Sequence, residues 1–360
     1  MKSFLYAIIL TFSICLVVPK PELQAQGCVA VRNMASTCSL AFDSLEHRTP
    51  WQLSINYRYF RSFRHFRGDH EETQRVENGT EVINNDNSVL FAPSYTLNKR
   101  WSFAAVIPLL YIDRSSLYEH KGNNSGERYH THSQGLGDIR VSAYYAVIPE
   151  TVKGNLTFGL GLKLPTGNYH YKDYFHKPEG LELKYVDQSI QPGDGGLGVI
   201  AEVGYNQLIA KNFYGYVTGL YMFNPRNTNG VQRSQNLSNA IPLSNEFSVA
   251  DQFLFRLGGR YVIKNFQVGL GGRIEGIPAK DAIGDSDGFR RPGHIISVEP
   301  AAIYTLHNKH TFGISVPVAL YRNRTKNTID IQSTEITGKD VHGDAAFSDW
   351  LLSVFYSVRF

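Results

Sequence analysis

The chain has 360 residues and a formal net charge of +4, with 21 Phe, 21 Tyr and 32 Gly against only 3 Met. Aromatics and glycine at this level point to β-structure. The charge forms no basic run, which excludes a nucleic-acid partner, and past the first residues no apolar stretch of about 18 residues occurs, which excludes a helical membrane protein.

Residues 1–27 read as a secretory signal peptide. Met1-Lys2 is the basic start and Phe4–Val18 the apolar segment, shorter than the roughly 20 residues of a membrane helix. The small residues near Ala25–Gly27 suit signal peptidase. Cys15 lies in the signal, so the exported chain keeps Cys28 and Cys38, for which a disulfide in an oxidising compartment is expected. They fall in residues 28–49, a short periplasmic segment that could act as a plug for the domain C-terminal to it.

Residues 50–360 repeat one unit: about ten residues alternating apolar and polar, then turn residues. That is the signature of transmembrane β-strands. Twelve such runs succeed one another, beginning near Trp51, Val89, Trp101, Ile139, Leu156, Leu197, Phe213, Phe253, Phe266, Ile296, Phe312 and Trp350. The run from Phe213 to Phe223 is apolar on both parities, so its facing stays open. Five connections are short and six are long, in strict alternation. Outer-membrane barrels have this arrangement, with short periplasmic turns and long external loops. The fold class is therefore all-β, a transmembrane antiparallel up-and-down β-barrel of about 12 strands, in the cell outer membrane of a Gram-negative organism. Outer-membrane lipid is the expected surrounding partner. The last strand ends on an aromatic, Phe360, resembling the signal read by the barrel-assembly machinery, a second expected partner.

The parity opposite the apolar one faces the lumen. It collects Arg58, Asp138, Arg140, Lys163, Glu202, Arg256, Arg260, Arg273, Glu275, Glu299, Asp349 and Arg359. A register slip of one residue would turn all of these into lipid, at roughly 2–4 kcal/mol for each mid-membrane Arg or Lys. Two roles compete for them: a salt-bridge network that braces the wall, or a lining that selects a solute. Seven basic and five acidic groups among the twelve can largely pair, which favours the brace. The expected lumen-lining set is Arg58, Arg140, Glu202, Arg256, Arg273, Glu275 and Glu299. Phe60, Leu254, Ile295, Ile303, Leu351 and Phe355 share that parity, and would meet either residues 28–49 or a partly apolar solute.

No catalytic constellation stands out. His130 and His132 are one residue apart in an external loop, but two imidazoles are too few to define a metal site. No metal and no cofactor is expected. Gly193-Asp-Gly-Gly-Leu-Gly198 has no helix after it that could meet a phosphate, and reads as the start of a strand. Ser and His in the loops, such as His132 and Ser133, form no triad spacing, and the chain is not expected to be an enzyme.

Gly135-Leu-Gly-Asp-Ile-Arg-Val-Ser-Ala-Tyr-Tyr145 and Gly159-Leu-Gly-Leu-Lys-Leu-Pro-Thr-Gly167 resemble the repeat in outer-membrane proteins named for the meta-cleavage pathway of phenol degradation, relatives of fatty-acid and aromatic-hydrocarbon transporters. The resemblance covers about 135–360 in strand pattern. It implies a channel or transporter that passes small solutes, hydrophobic or aromatic ones among them, and it carries over no defined binding residue. The chain departs from the fatty-acid transporters, which have fourteen strands and a longer N-terminal hatch. Two other functions remain: a non-conducting structural or adhesive barrel whose loops do the work, and a surface lipid hydrolase.

Overall fold

The computed structural model describes residues 25–26, 49–117, 119–120, 126–151, 153–233 and 241–360. Apart from Ala25–Gln26, the signal segment lies outside the described residues, as does the Cys28–Cys38 pair. Twelve staves run in chain order: β1 Trp51–Arg67, β2 Ile83–Thr96, β3 Trp101–Ser116, β4 Ile139–Thr151, β5 Gly154–Leu164 and β6 Gly198–Ala210. They continue with β7 Phe213–Phe223, β8 Gln252–Ile263, β9 Phe266–Pro278, β10 Gly293–Leu306, β11 His310–Ser315 with Val318–Asn323, and β12 Ala345–Arg359. Each pairs antiparallel with the next. The wall closes where β12 pairs β1, from Gln52 opposite Arg359 to Phe66 opposite Ala345. Closure leaves no free edge, the condition for a sheet to stand in lipid.

The alternation sorts the side chains. Leu160, Leu257, Leu270 and Leu320 are exposed on the outer face, where the solvent is hydrocarbon. At the turn end, tilted aromatic pairs form an interfacial girdle: Trp51–Tyr95 with ring centroids 4.8 Å apart, Trp101–Tyr145 at 4.9 Å, and Phe312–Tyr356 at 5.0 Å. In β7, whose facing the sequence leaves open, Thr218, Leu220 and Met222 are buried on the inner face.

Two staves are broken. Before β4, the piece Tyr129–Leu136 pairs only with the outer half of β3, and β4 itself takes the inner half. Between them Gly137 donates to the Pro108 carbonyl at 2.8 Å, and an added Cβ would stand 2.9 Å from the Pro108 ring. In β11, Pro317 has no N–H to give the ladder and interrupts it between Ser315 and Val318.

The long connections are folded rather than slack. Residues 172–185 form a hairpin, Thr228–Gln232 pairs with Glu246–Ser248, and Thr328–Thr337 is a helix. That helix starts with a capping box between Asn327 and Asp330 and ends at Gly338 in the left-handed conformation. Val231, Ile241, Phe247, Phe289 and Ile329, contributed by three different loops, form one apolar cluster with Tyr169 and Tyr185 against it. The external end of the barrel therefore carries a cap with its own core.

Candidate functional site

The inner wall is belted by charge near mid-height. Arg273 grips Glu275 through Nε–Oε1 at 2.9 Å and Nη2–Oε2 at 2.8 Å. Glu299 faces Arg256 Nε at 3.3 Å and Arg273 Nη1 at 3.7 Å. Arg58, on β1, interacts electrostatically with Asp86 on β2 and with Glu275, Arg273 and Arg256 on β8 and β9. These staves lie on different sides of the barrel, so charges from separate walls meet in the lumen. Arg140 feels Glu202 and Tyr144, and the Tyr144 hydroxyl donates to Glu202 Oε1 at 2.9 Å. All seven expected lining residues are buried. Of the other charges on that parity, Arg260 donates to Asn206 Oδ1 at 2.7 Å and Lys163 pairs with Asp194. Beside the belt a cavity of about 30 Å³ lies between Tyr216, Arg256, Arg260 and Glu299.

The inward apolar residues divide. Ile200, Leu220, Met222 and Leu254 form one cluster, and Phe66, Ile295, Ala345 and Phe347 another. Phe355 lies across Gly313, where an added Cβ would meet its ring at 2.0 Å.

The third external loop, 165–197, turns inward. Val186 and Ile190 pack on Leu110 and Ile112, which sit on the inner parity of β3. Ser189 Oγ accepts from Arg114 Nη1 at 3.1 Å, and Ser133 donates to the Ile190 carbonyl. Where the loop's two legs cross, backbone meets backbone: a Cβ on Gly193 would stand 2.5 Å from the Gly167 carbonyl oxygen. Asp138 ties both legs, accepting from Gly167 N at 2.9 Å and Asp194 N at 3.0 Å. The Gly-rich run 193–198 thus serves a crossing of chains, with Gly195 at φ +80°, as well as the start of β6.

At the external end opens a vestibule of about 960 Å³. Arg114, Arg233, Arg291 and Arg324 line it from four loops and stave ends, with Phe289 among them. Arg233 lies over the Phe289 ring at 3.5 Å and Arg291 over the same ring at 4.9 Å. Burial and the neighbouring Arg291 push the Arg233 pKa down to about 10. Burial also works to raise the Asp187 pKa, but Arg114 and then Arg291 outweigh it and hold that carboxyl well below the usual range. At the other side His65 Nδ1 meets Asp344 Oδ2 at 2.8 Å, and Arg75 reaches the same oxygen at 2.7 Å.

Sequence reasoning finds the belt by parity and misses the vestibule. Arg114 was within reach, because the alternation of β3 carries it inward once the strand is extended beyond Leu109. Nothing in the sequence pairs Asp187 with Arg291.

No protein-family model matches the chain, and no curated protein does. Among solved structures, the COG4313 outer membrane channel from Pseudomonas putida F1 superposes with a TM-score of 0.59 at 13% identity, over 95% of this chain and 100% of that one. The P. putida toluene transporter TodX gives 0.42 at 11% identity, over 87% and 91% of the two chains. A Pseudomonas aeruginosa FadL homologue gives 0.39 at 9% identity, over 86% and 90%. At such identities the first likeness is one of fold: a closed antiparallel barrel of outer-membrane type.

Proposed function

We propose that the protein is an outer-membrane channel or transporter that takes small solutes, hydrophobic or aromatic ones among them, from the external medium into the barrel. The observation that carries this reading is the 960 Å³ vestibule at the external end, two of whose lining arginines, Arg114 and Arg291, also hold Asp187 of the inward-folded third loop. A solute has a mouth of its own size to enter, and the loop tied to that mouth packs against the inner face of β3. The wall offers apolar patches at Leu220–Leu254 and, at the external end beside the vestibule, at Phe66–Ile295, a lining suited to molecules with both an apolar body and a polar group. A solved outer membrane channel that shares this fold supports the reading.

In this reading Arg58, Arg140, Glu202, Arg256, Arg273, Glu275 and Glu299 line the passage and brace it together. A charge in a narrow lumen needs a counter-charge, so one set of side chains serves both ends. The third loop holds the resting channel at low conductance.

Liposome swelling tests the proposal. Vesicles carrying the mature protein should admit small aromatic alcohols faster than sugars of equal size. Equal rates with and without protein would leave a closed structural barrel as the better description.

A further inference from the structure

On the outer side of the barrel, above the lipid belt, three metal-ligating side chains converge: Asp113 on β3, and His130 and His132 on the paired strand piece Tyr129–Leu136. Their register places Asp113 directly opposite His132 and Ser115 opposite His130. Two residues along a strand returns a side chain to the same face, so both imidazoles rise beside the one carboxylate. His130 Nδ1 is 2.6 Å from Asp113 Oδ1, and His132 Nε2 is 3.2 Å from the same oxygen. The three ligand atoms all lie within 4.8 Å of one another. A tetrahedral ion with bonds of about 2.0–2.1 Å holds its ligands roughly 3.4 Å apart, so the set is nearly the right size.

The surroundings are arranged as a metal site needs them. The second Asp113 oxygen accepts from Asn85 Nδ2 at 3.1 Å, which fixes the carboxylate plane. His132 turns its other ring nitrogen toward Asp173, 3.7 Å from Oδ2, and the same oxygen accepts the His132 backbone N–H at 2.6 Å. A carboxylate behind the far nitrogen of a ligating imidazole sets its tautomer and raises its basicity. The two His rings lie nearly parallel, 17° apart with centroids at 6.1 Å, and both remain about half exposed, so an ion has an open approach.

We propose that Asp113, His130 and His132 form a surface site for a borderline divalent transition-metal ion such as Zn²⁺, Cu²⁺ or Ni²⁺. Two imidazoles and a carboxylate suit those ions over Mg²⁺ or Ca²⁺, which prefer all-oxygen sets. Asp173 is the positioning residue behind His132. Because Asp173 belongs to the hairpin 172–185 within the third loop, a bound ion fastens that hairpin to the barrel rim.

The test is calorimetric titration of ZnCl₂ into the mature, tag-free, folded protein in detergent. One ion per chain is expected. His132→Ala and Asp113→Asn should each weaken binding at least tenfold. Asp173→Asn should weaken it about tenfold through orientation alone, and His170→Ala, an exposed histidine elsewhere in the same loop, should leave it unchanged. Heat-modifiable migration on a gel verifies that each variant is folded. In the wild type, Zn²⁺ should also slow trypsin cleavage at Lys172 and Lys184, and should not do so in the His132→Ala chain. Absence of saturable binding, or binding that survives the His130→Ala/His132→Ala double change, would overturn the proposal.

Discussion

Arg291 closes a two-point ion pair on Asp187, Nη1–Oδ1 at 2.6 Å and Nη2–Oδ2 at 2.7 Å, joining two external loops 104 residues apart in sequence. Arg114, on the inner face of β3, stands 3.7 Å from the second Asp187 oxygen. Asp187 also accepts the Ser189 N–H at 2.9 Å and so starts the 3₁₀ turn that carries Ile190 inward. One carboxylate thus holds the constricting loop to two cations.

Asp187→Ala removes the carboxylate that Arg114 and Arg291 share and releases the third loop from both, while Arg114 keeps its ion pair with Glu119. Removing one partner of a buried pair costs about 3–5 kcal/mol, here drawn from the cap rather than the wall. Single-channel conductance should rise at least severalfold while the temperature of barrel unfolding, read by gel migration, stays within a few degrees of wild type.

Gly193→Ala attacks the same loop from the backbone. The new Cβ would fall 2.5 Å from the Gly167 carbonyl oxygen and 2.8 Å from Asp138 Oδ1. Relieving such a clash costs roughly 1–3 kcal/mol. The expected result is the raised conductance of the Asp187 change, with faster proteolysis inside 165–197. A matched Gly272→Ala change, where a Cβ meets nothing within 4 Å, should leave both unaltered.

Glu299→Gln disturbs the belt. The residue faces Arg256 and Arg273, and neutralising it leaves the local charge more positive. The reversal potential in a salt gradient should move toward anion preference. Barrel stability should fall by about 1–3 kcal/mol, the cost of a weakened buried charge interaction.

The cap should also respond to acid. Burial works to raise the Asp344 pKa, but the His65 hydrogen bond and the charges of His65 and Arg75 bring it down to about 2. A carboxyl depressed in the folded state contributes its stability in full above its unfolded pKa, near 3.9, and loses it as pH falls through the folded value. The contact between the first and sixth external loops should therefore loosen as pH falls from about 4 to 2, by up to roughly 2 kcal/mol. Pepsin cleavage within 324–344 should accelerate across that window, and Asp344→Asn should flatten the dependence.

The barrel was legible because lipid imposes a period of two on every stave and forbids charge on one face. That constraint acts residue by residue, so Trp51-Gln-Leu-Ser-Ile-Asn-Tyr-Arg58 declares both its fold and its facing. It lapses above the membrane. There β1 runs on to Arg67 and β3 to Ser116, past the points where alternation fades. The inward course of Val186 and Ile190, and the meeting of Asp113 with His130 and His132, depend on register between segments far apart or joined by a long loop. Single-sequence periodicity carries no term for such pairings. The Gly193–Gly198 run shows the same limit: its composition signals a backbone constraint, and only the fold reveals that the constraint is a crossing with Gly167.

A solute passage restricted by the third loop is tested most directly by planar-bilayer recording of the mature protein beside its Asp187→Ala form. Small, steady openings are expected in the wild type and larger ones, at unchanged barrel stability, in the variant. Silence from both folded proteins would contradict it and would mark the barrel as a closed support for its external loops.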